Sequence, residues 1–149
     1  ASWRGEAGDA AGAATAFEEL LTDLERVLGP DHADTLCTRS SIASWRGEAG
    51  DAAGAATAFE ELLTDLERVL GPDHPAALST RGNLAYWQGR AGDPAAASQA
   101  FEDLLADLER VLGPDHPDVL GTRDGFAYWR GRRPWRLITN RIRSVARDD

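Results

Sequence analysis

Three histidines, His32, His74 and His116, are the first residues of this chain whose type suggests chemistry, because imidazole is a common metal ligand and proton carrier. They lie 42 residues apart, and each follows an aspartate in the same short linker. Zinc needs ligands that converge to about 2 Å from one ion, whereas equivalent positions of stacked repeats lie too far apart for this. The spacing therefore predicts three helix-capping residues and no metal site.

The cysteine and the carboxylates also lack a catalytic arrangement. Cys37 is the single cysteine, and Ser79 and Gly121 take its place 42 and 84 residues later, which indicates a need for a small side chain. Carboxylates such as Glu60 and Asp65 are expected on the solvated outer face of a helix. The sequence contains no phosphate-binding loop and no Ser–His or Cys–His pair near a glycine-rich turn. It therefore predicts a protein that is not an enzyme and uses no cofactor.

Composition and charge narrow the class of partner. All 16 basic residues are arginine and there is no methionine, a bias typical of a high-GC bacterial genome. Residues 1–131 carry 10 Arg against 23 acids, so an acidic surface that repels nucleic acid is expected. No apolar run approaches the roughly 20 residues of a membrane span, and the N-terminus does not resemble a signal peptide. These features predict a cytoplasmic protein without a membrane or nucleic-acid partner.

The 42-residue spacing extends over most of the chain. Residues 1–32 recur unchanged as residues 43–74, and a third copy differs at a minority of positions. Units of this kind cannot bury their apolar faces alone and stack into a solenoid with a continuous core. The predicted boundaries are a partial first repeat at 1–28, which starts inside a helix and suggests a fragment, full repeats at 29–70 and 71–112, a fourth first helix at 113–132, and a basic amphipathic C-terminal helix at 133–149.

Each repeat is predicted to contain two antiparallel helices, A and B. In the third copy, helix A is expected from about Pro75 to Arg90 and helix B from about Pro94 to Leu112, with Asp93 as the N-cap of helix B. Asp9 and Asp51 repeat that cap in the earlier copies. The apolar stripe of helix B recurs at spacings of three and four residues, as a packed helix requires; it comprises Ala97, Phe101, Leu104, Leu105, Leu108, Val111 and Leu112. The predicted fold class is an all-α solenoid of antiparallel helix hairpins.

These motifs resemble the tetratricopeptide repeat in its 42-residue, kinesin-light-chain form. The resemblance rests on Asn83-Leu84-Ala85, on Gly92, on Ala97 and Phe101 four residues apart, and on the Leu-Gly-Pro-Asp-His-Pro linker at 112–117, and it covers residues 1–132. It implies a superhelix whose A helices line a concave groove that binds a peptide or a partner domain. In high-GC bacteria it also implies a second role, as the sensor segment of a larger signalling NTPase or transcription regulator.

The groove that this resemblance implies gives six candidate binding residues, Asn83, Tyr86, Arg90, Asp124, Tyr128 and Arg132. Tyrosine supplies contact area at little entropic cost, an asparagine amide can bond a peptide backbone, and arginine can meet an acidic group. Small neighbours such as Gly82 and Gly89 are expected to leave room for an extended peptide. The alternative is that these residues are simply solvated, and Ser41 and Gly125 have lost the family's asparagine.

Arg39, Arg81 and Arg123 occupy an A-helix position where the shorter form of the family has a large aromatic residue. Because an unpaired charge near the core is costly, we expect their stems to cover apolar surface while the guanidinium groups reach acids on helix B. A ladder of arginines that binds a ligand is the alternative. Trp45, Trp87 and Trp129 are expected to supply the missing aromatic bulk one turn away.

The sequence allows more than one interpretation of the last 17 residues and of the function of the chain. Residues 133–149 are consistent with a helix that caps the last repeat, with an accidental terminus, or with a basic amphipathic helix that docks on a membrane or partner. The array as a whole is predicted to be a protein-binding scaffold, with the regulatory segment or a non-functional remnant of a longer array as alternatives. Self-association through the open ends of the array is a further kind of partnering that the sequence allows.

Overall fold

The computed structural model describes residues 7–131, which form six consecutive α-helices and no strand. The helices are α1 (Ala7–Leu28), α2 (Ala33–Glu48), α3 (Ala52–Leu70), α4 (Pro75–Arg90), α5 (Pro94–Leu112) and α6 (Pro117–Arg130). The bounds of α4 and α5 are those expected from the sequence. Residues 133–149, with the predicted C-terminal helix, and residue Arg132 lie outside the described residues.

The predicted caps fix where most helices begin. The Nδ1 atoms of His32, His74 and His116 each accept the backbone N–H two residues later at 3.1 Å, so these histidines are the N-caps of α2, α4 and α6. Asp51 and Asp93 accept the N–H three residues later at 2.9 and 3.0 Å. The capping role of the histidines is therefore confirmed, and it satisfies amide groups that a helix start leaves unpaired.

The cap predicted at Asp9 is wrong. α1 begins at Ala7, two residues before Asp9, so Asp9 lies inside the helix. At the equivalent start of α3, Gly50 has a φ of +104°, a conformation that breaks the helix and that glycine adopts readily. α1 runs through the equivalent residue, Gly8, without this turn, so Asp9 has no helix start to cap.

Each helix packs against the next along the chain, and the middle A helix, α4, contributes to two core clusters at once. In α4, Ala77 and Trp87 belong to the cluster built on α3, whereas Leu78 and Ala85 belong to the cluster built on α5. In α6, Val119 and Trp129 continue the α5 cluster. This chain of shared clusters makes the fold an all-α solenoid, as the sequence predicts.

Trp87 and Trp129 pack against glycines of the preceding A helix. A Cβ atom on Gly47 would lie 2.5 Å from the Trp87 ring, and one on Gly89 would lie 2.6 Å from the Trp129 ring. Gly125 similarly faces Phe101, at 3.1 Å. The expectation that Gly89 leaves room for a peptide is therefore wrong, because the indole of the next repeat fills that space.

The arginine ladder is structural in the two complete hairpins. Arg39 Nη1 donates to Asp65 Oδ2 and Arg81 Nη1 donates to Asp107 Oδ2, both at 2.6 Å between half-buried side chains. These hydrogen bonds hold the pKa of each aspartate below its usual value. The packing prediction is confirmed for both arginines, and the solvated surface position expected for Asp65 is wrong.

Arg123 in α6 has a different partner, Glu109 on α5, at 3.1 Å between exposed side chains. Within residues 7–131, α6 has no helix B of its own to provide the aspartate. No helix in that range is long and apolar enough to cross a membrane. Nor does the described part of the chain hold a cluster of His, Cys, Asp and Glu that could bind a metal ion.

Candidate groove between α4 and α6

A cavity of about 580 Å³ lies between α4 and α6, with α5 behind it. Its apolar floor is formed by Leu78, Phe101, Leu104 and Leu108, which are buried members of the second core cluster. The remaining lining residues are Asp73, Pro75, Ser79, Gly82, Asn83, Val111, Leu112, His116, Pro117, Asp118, Gly121 and Thr122. This is a concave and largely apolar surface of the size that small ligands or single side chains of a peptide occupy.

Two glycines keep this groove open. A Cβ atom on Gly121 would meet no other atom within 4 Å, and one on Gly82 would meet only the Leu104 side chain, at 3.7 Å. In the preceding pair of A helices the corresponding residues are Ser40 and Ser79. The loss of both side chains widens the space between α4 and α6 without any compensating contact.

The polar groups of the groove are few and lie mainly at its edge. The amide of Asn83 is half-buried and makes no hydrogen bond to the described part of the chain. Asp118 is an exposed carboxylate in the first turn of α6. Asn83 can therefore both donate to and accept from a bound molecule, and Asp118 can attract a basic one.

Two other polar residues at the edge already have partners. The carboxylate of Asp73 accepts from Arg110 Nη2 at 2.7 Å, and this hydrogen bond holds the pKa of Asp73 below its usual value. The Nδ1 atom of His116 accepts the backbone N–H of Asp118, so the proton of a neutral imidazole lies on Nε2. Asp73 and His116 therefore form the edge of the groove with bonding groups that are already engaged within the chain.

Of the residues predicted from the sequence, Asn83 lines this cavity and Tyr86 and Arg90 do not. Tyr86 lies edge-on against Trp87 with ring centroids 4.9 Å apart, and its hydroxyl accepts from Arg90 Nη1 at 3.0 Å. The two exposed side chains thus form a pair of their own farther along α4.

The residues predicted in the last A helix lie apart from the cavity as well. Asp124 and Tyr128 are exposed on α6 outside the cavity lining, and Tyr128 packs edge-on against Trp129 at 4.9 Å. Arg132 falls outside the described residues. The six predicted residues therefore do not converge on one site in the described structure.

Residues that sequence reasoning missed include the floor, Phe101 and Leu104, and the opening glycine Gly121. Periodicity places Phe101 and Leu104 in the core stripe, because it cannot distinguish a residue that is covered from one at the base of a groove. A usable signal exists for the glycines, since Gly82 and Gly121 each replace a serine of the preceding A helix, Ser40 and Ser79.

Comparison with known proteins defines the family. Models of the tetratricopeptide repeat match residues 5–34 and 50–110, together more than half of the chain. The chain belongs to the tetratricopeptide repeat family. No curated protein matches it.

Solved structures agree on the fold of this tetratricopeptide array. One is a crystal structure of nearly identical TPR-like repeats of a protein assigned as a kinesin light chain in Podosopora anserina, with a TM-score of 0.73 and 20% identity over 82% of this chain and 58% of that one. A single-substitution variant of that protein matches with the same TM-score and identity, over 57% of its length. This chain thus spans less than two thirds of the length of either relative. Tetratricopeptide repeats generally mediate protein–protein interaction.

Proposed function

We propose that this tetratricopeptide array is an interaction scaffold that binds an extended segment of another protein in the groove between α4 and α6. The observation that carries the proposal is the open apolar cavity whose wall holds the Asn83 amide, a group that bonds to no described residue. An apolar side chain of the partner would fill the cavity, and the amide would bond the backbone beside it. The regulatory segment and the non-functional remnant stay hypotheses from the sequence.

The charges favour a segment with a basic residue near its apolar anchor. Asp118 is exposed at one edge of the groove, and residues 1–131 carry 10 Arg against 23 acids. Complementary charge raises association rates and rejects acidic segments more than it adds affinity. We therefore expect binding of such a segment to weaken with salt while the apolar anchor sets the affinity.

The proposal is tested by selecting peptides from a random library on the 149-residue chain and comparing two variants. Gly121→Phe places a ring in the cavity, whereas Gly121→Ala adds one methyl group where the structure has open space. Selected peptides should bind the Phe variant at least about tenfold more weakly, a loss of about 1.4 kcal/mol, and should bind the Ala variant as well as they bind the parent chain.

Equal binding of the selected peptides to the Phe variant and the parent chain would show that the groove is not the binding site. Asn83→Ala should also weaken binding, because the amide bonds to the ligand are lost. Tyr86→Ala separates the narrow groove from the wider site predicted from the sequence. If only Tyr86→Ala weakens binding, the site lies at the Tyr86–Arg90 pair instead of the cavity.

A further inference from the structure

α1 and α3 have the same sequence over residues 10–28 and 52–70 but bury different amounts of it. Leu20 in α1 is 45% exposed, whereas its counterpart Leu62 in α3 is 1% exposed. Phe59 and Leu66 are also buried, while their counterparts Phe17 and Leu24 are only partly covered. Identical side chains differ here because α3 has a helix A of its own hairpin, α2, beside it. α1 therefore presents the helix-B half of a hairpin interface.

α6 presents the other half. Leu120 is 47% exposed and Ala127 is exposed, whereas their counterparts in α4, Leu78 and Ala85, are buried against α5. The opposite face of α6, with Val119 and Trp129, is buried in the α5 cluster as expected for an internal A helix. The face of α6 that would meet its own helix B is thus uncovered in the described structure.

We propose that the two uncovered faces pack on each other between copies of this chain, so that α6 of one copy completes a hairpin with α1 of the next. Both interior clusters have the same make-up: a Leu and an Ala from one A helix, an Ala, a Phe and two Leu from helix B, and two residues from the next A helix. At the N-terminal end, α1 holds the helix-B residues of such a cluster and α2 holds those of the next A helix. Leu120 and Ala127 of the neighbouring copy supply the Leu and the Ala of the first A helix.

Charges at the two ends match in the same way. In both complete hairpins an arginine of helix A pairs with an aspartate of helix B, as Arg81 does with Asp107 at 2.6 Å. By the repeat, Asp23 of the next copy stands at the position that would pair with Arg123 across the junction. Asp149 of the same chain, 26 residues after Arg123, stands at the same repeat position and lies outside the described residues. Arg123 and Asp23 are exposed in the single chain, and their present partners, Glu109 and Arg26, are also exposed and lie at 3.1 and 3.7 Å.

A second ion pair follows the same rule. Arg68 and Arg110 bond the linker aspartates Asp31 and Asp73, which precede the A helices of their hairpins, at 2.8 and 2.7 Å. Across the junction the equivalent pair is Asp115 of one copy with Arg26 of the next. Asp115 is exposed and contacts no cation within residues 7–131. Because the junction reproduces both interior pairs with identical or equivalent residues, a second copy fits the α6 face better than an unrelated partner.

The chain's own residues 133–149, which lie outside the described residues, are the alternative occupant of the α6 face that the experiment must distinguish. In the 42-residue repeat, however, Arg143 and Ala146 stand at the positions of Phe101 and Leu104, so this segment does not supply the helix-B stripe that α1 supplies. Residues 1–6 correspond in the repeat to residues 127–132 of the neighbouring copy, and both cannot occupy the same position. Removal of residues 1–6 should therefore strengthen the association.

Sedimentation over a range of concentrations tests the proposal with Leu20→Glu on α1 and Leu120→Glu on α6. Both leucines are exposed in the single chain, so neither change should unfold it, as circular dichroism checks. A head-to-tail contact grows beyond a dimer, and each variant alone should need more than about tenfold higher concentration to associate. An equimolar mixture should form a dimer that stops there, since each variant retains the face that the other has lost.

Leu28→Glu is the matched control on α1, because Leu28 is 40% exposed and its counterpart Leu70 is still 42% exposed inside the array. This variant should associate as the parent chain does. A parent chain that stays monomeric, even without residues 1–6, would overturn the proposal. So would a mixture of the two glutamate variants that does not dimerise. A parent chain that associates only after residues 133–149 are removed would assign the α6 face to that segment.

Discussion

Single residues in this array act mainly through the pairs that join one helix to the next. Arg39 and Arg81 bury their stems, and each donates a short hydrogen bond to a half-buried aspartate. The same ion pair at an exposed site contributes little, because solvent screens both charges. Here the hydrogen bond from the arginine outweighs partial burial and lowers the pKa of Asp65 and Asp107, so the titration of these aspartates is coupled to stability.

Asp107→Asn should lower the free energy of unfolding at pH 7 by up to about 1 kcal/mol, the range for partly exposed pairs. The Arg81 guanidinium holds the pKa of Asp107 below its ordinary value. The stabilisation is thus present above the unfolded pKa and is lost as pH falls through the folded one. Urea unfolding of both proteins from pH 7 to pH 2 should show the gap closing below about pH 4.

Glu102→Gln is the control for that series, because Glu102 is exposed on the same helix and pairs with no described cation. Its unfolding free energy should follow that of the parent chain throughout. A difference between Asp107→Asn and the parent chain that persists at pH 2 would mean that packing, and not charge, sets the effect.

At the scale of helices, the contacts between neighbouring A helices decide how closely the repeats stack. Trp87 and Trp129 each lie over a glycine of the A helix before them, and both indoles are buried. Such a contact allows two helices to approach closely only where a side chain is absent. In α4, Gly89 therefore lies under an indole, whereas Gly82 borders the groove, as Gly121 of α6 does.

Gly89→Ala and Gly121→Ala should change stability in opposite directions. At Gly89 the new methyl group would lie 2.6 Å from the Trp129 ring, so overpacking of about 1–3 kcal/mol should outweigh any gain in helix propensity. At Gly121 it would meet open space, so the replacement should stabilise α6 by up to about 1 kcal/mol. Urea unfolding followed by tryptophan fluorescence measures the stability of both variants. An equal gain in stability in the two would contradict the close contact between Gly89 and the Trp129 ring.

At the scale of the whole molecule, the array is a row of shared clusters that is open at both ends within the described residues. α6 is held by Val119 and Trp129, which pack into the α5 cluster, and these contacts do not involve residues 132–149. α6 is therefore anchored to the described array by contacts of its own. Open ends are where repeat proteins associate or need a cap.

Removal of residues 132–149 should leave the melting temperature within about 2 °C of the parent value, less than a loss of 1 kcal/mol would cause in a chain of this size. Head-to-tail association should persist, because α6 keeps the exposed Leu120 and Ala127. Thermal unfolding and sedimentation of the truncated chain give both results. A lower melting temperature would instead support the cap predicted from the sequence.

The sequence by itself determined the period, the family, the helix bounds of α4 and α5, and the caps from His74, Asp51 and Asp93. Each of these depends on local chemistry or on a spacing of three, four or 42 residues, which can be recognised along the chain. The arginine–aspartate pairs could also be anticipated, because a charge near an apolar face must find a partner.

Only the tertiary structure decided which small residues border open space and which lie against the side chain of a neighbouring helix. Gly89 and Gly121 are the same residue type on equivalent helices, yet one lies under an indole and the other beside an empty groove. It also decided that Leu20 and Leu62, identical in local sequence, differ in exposure. The physical reason is the same in both cases, since burial depends on the neighbouring helix and that helix is distant in the sequence.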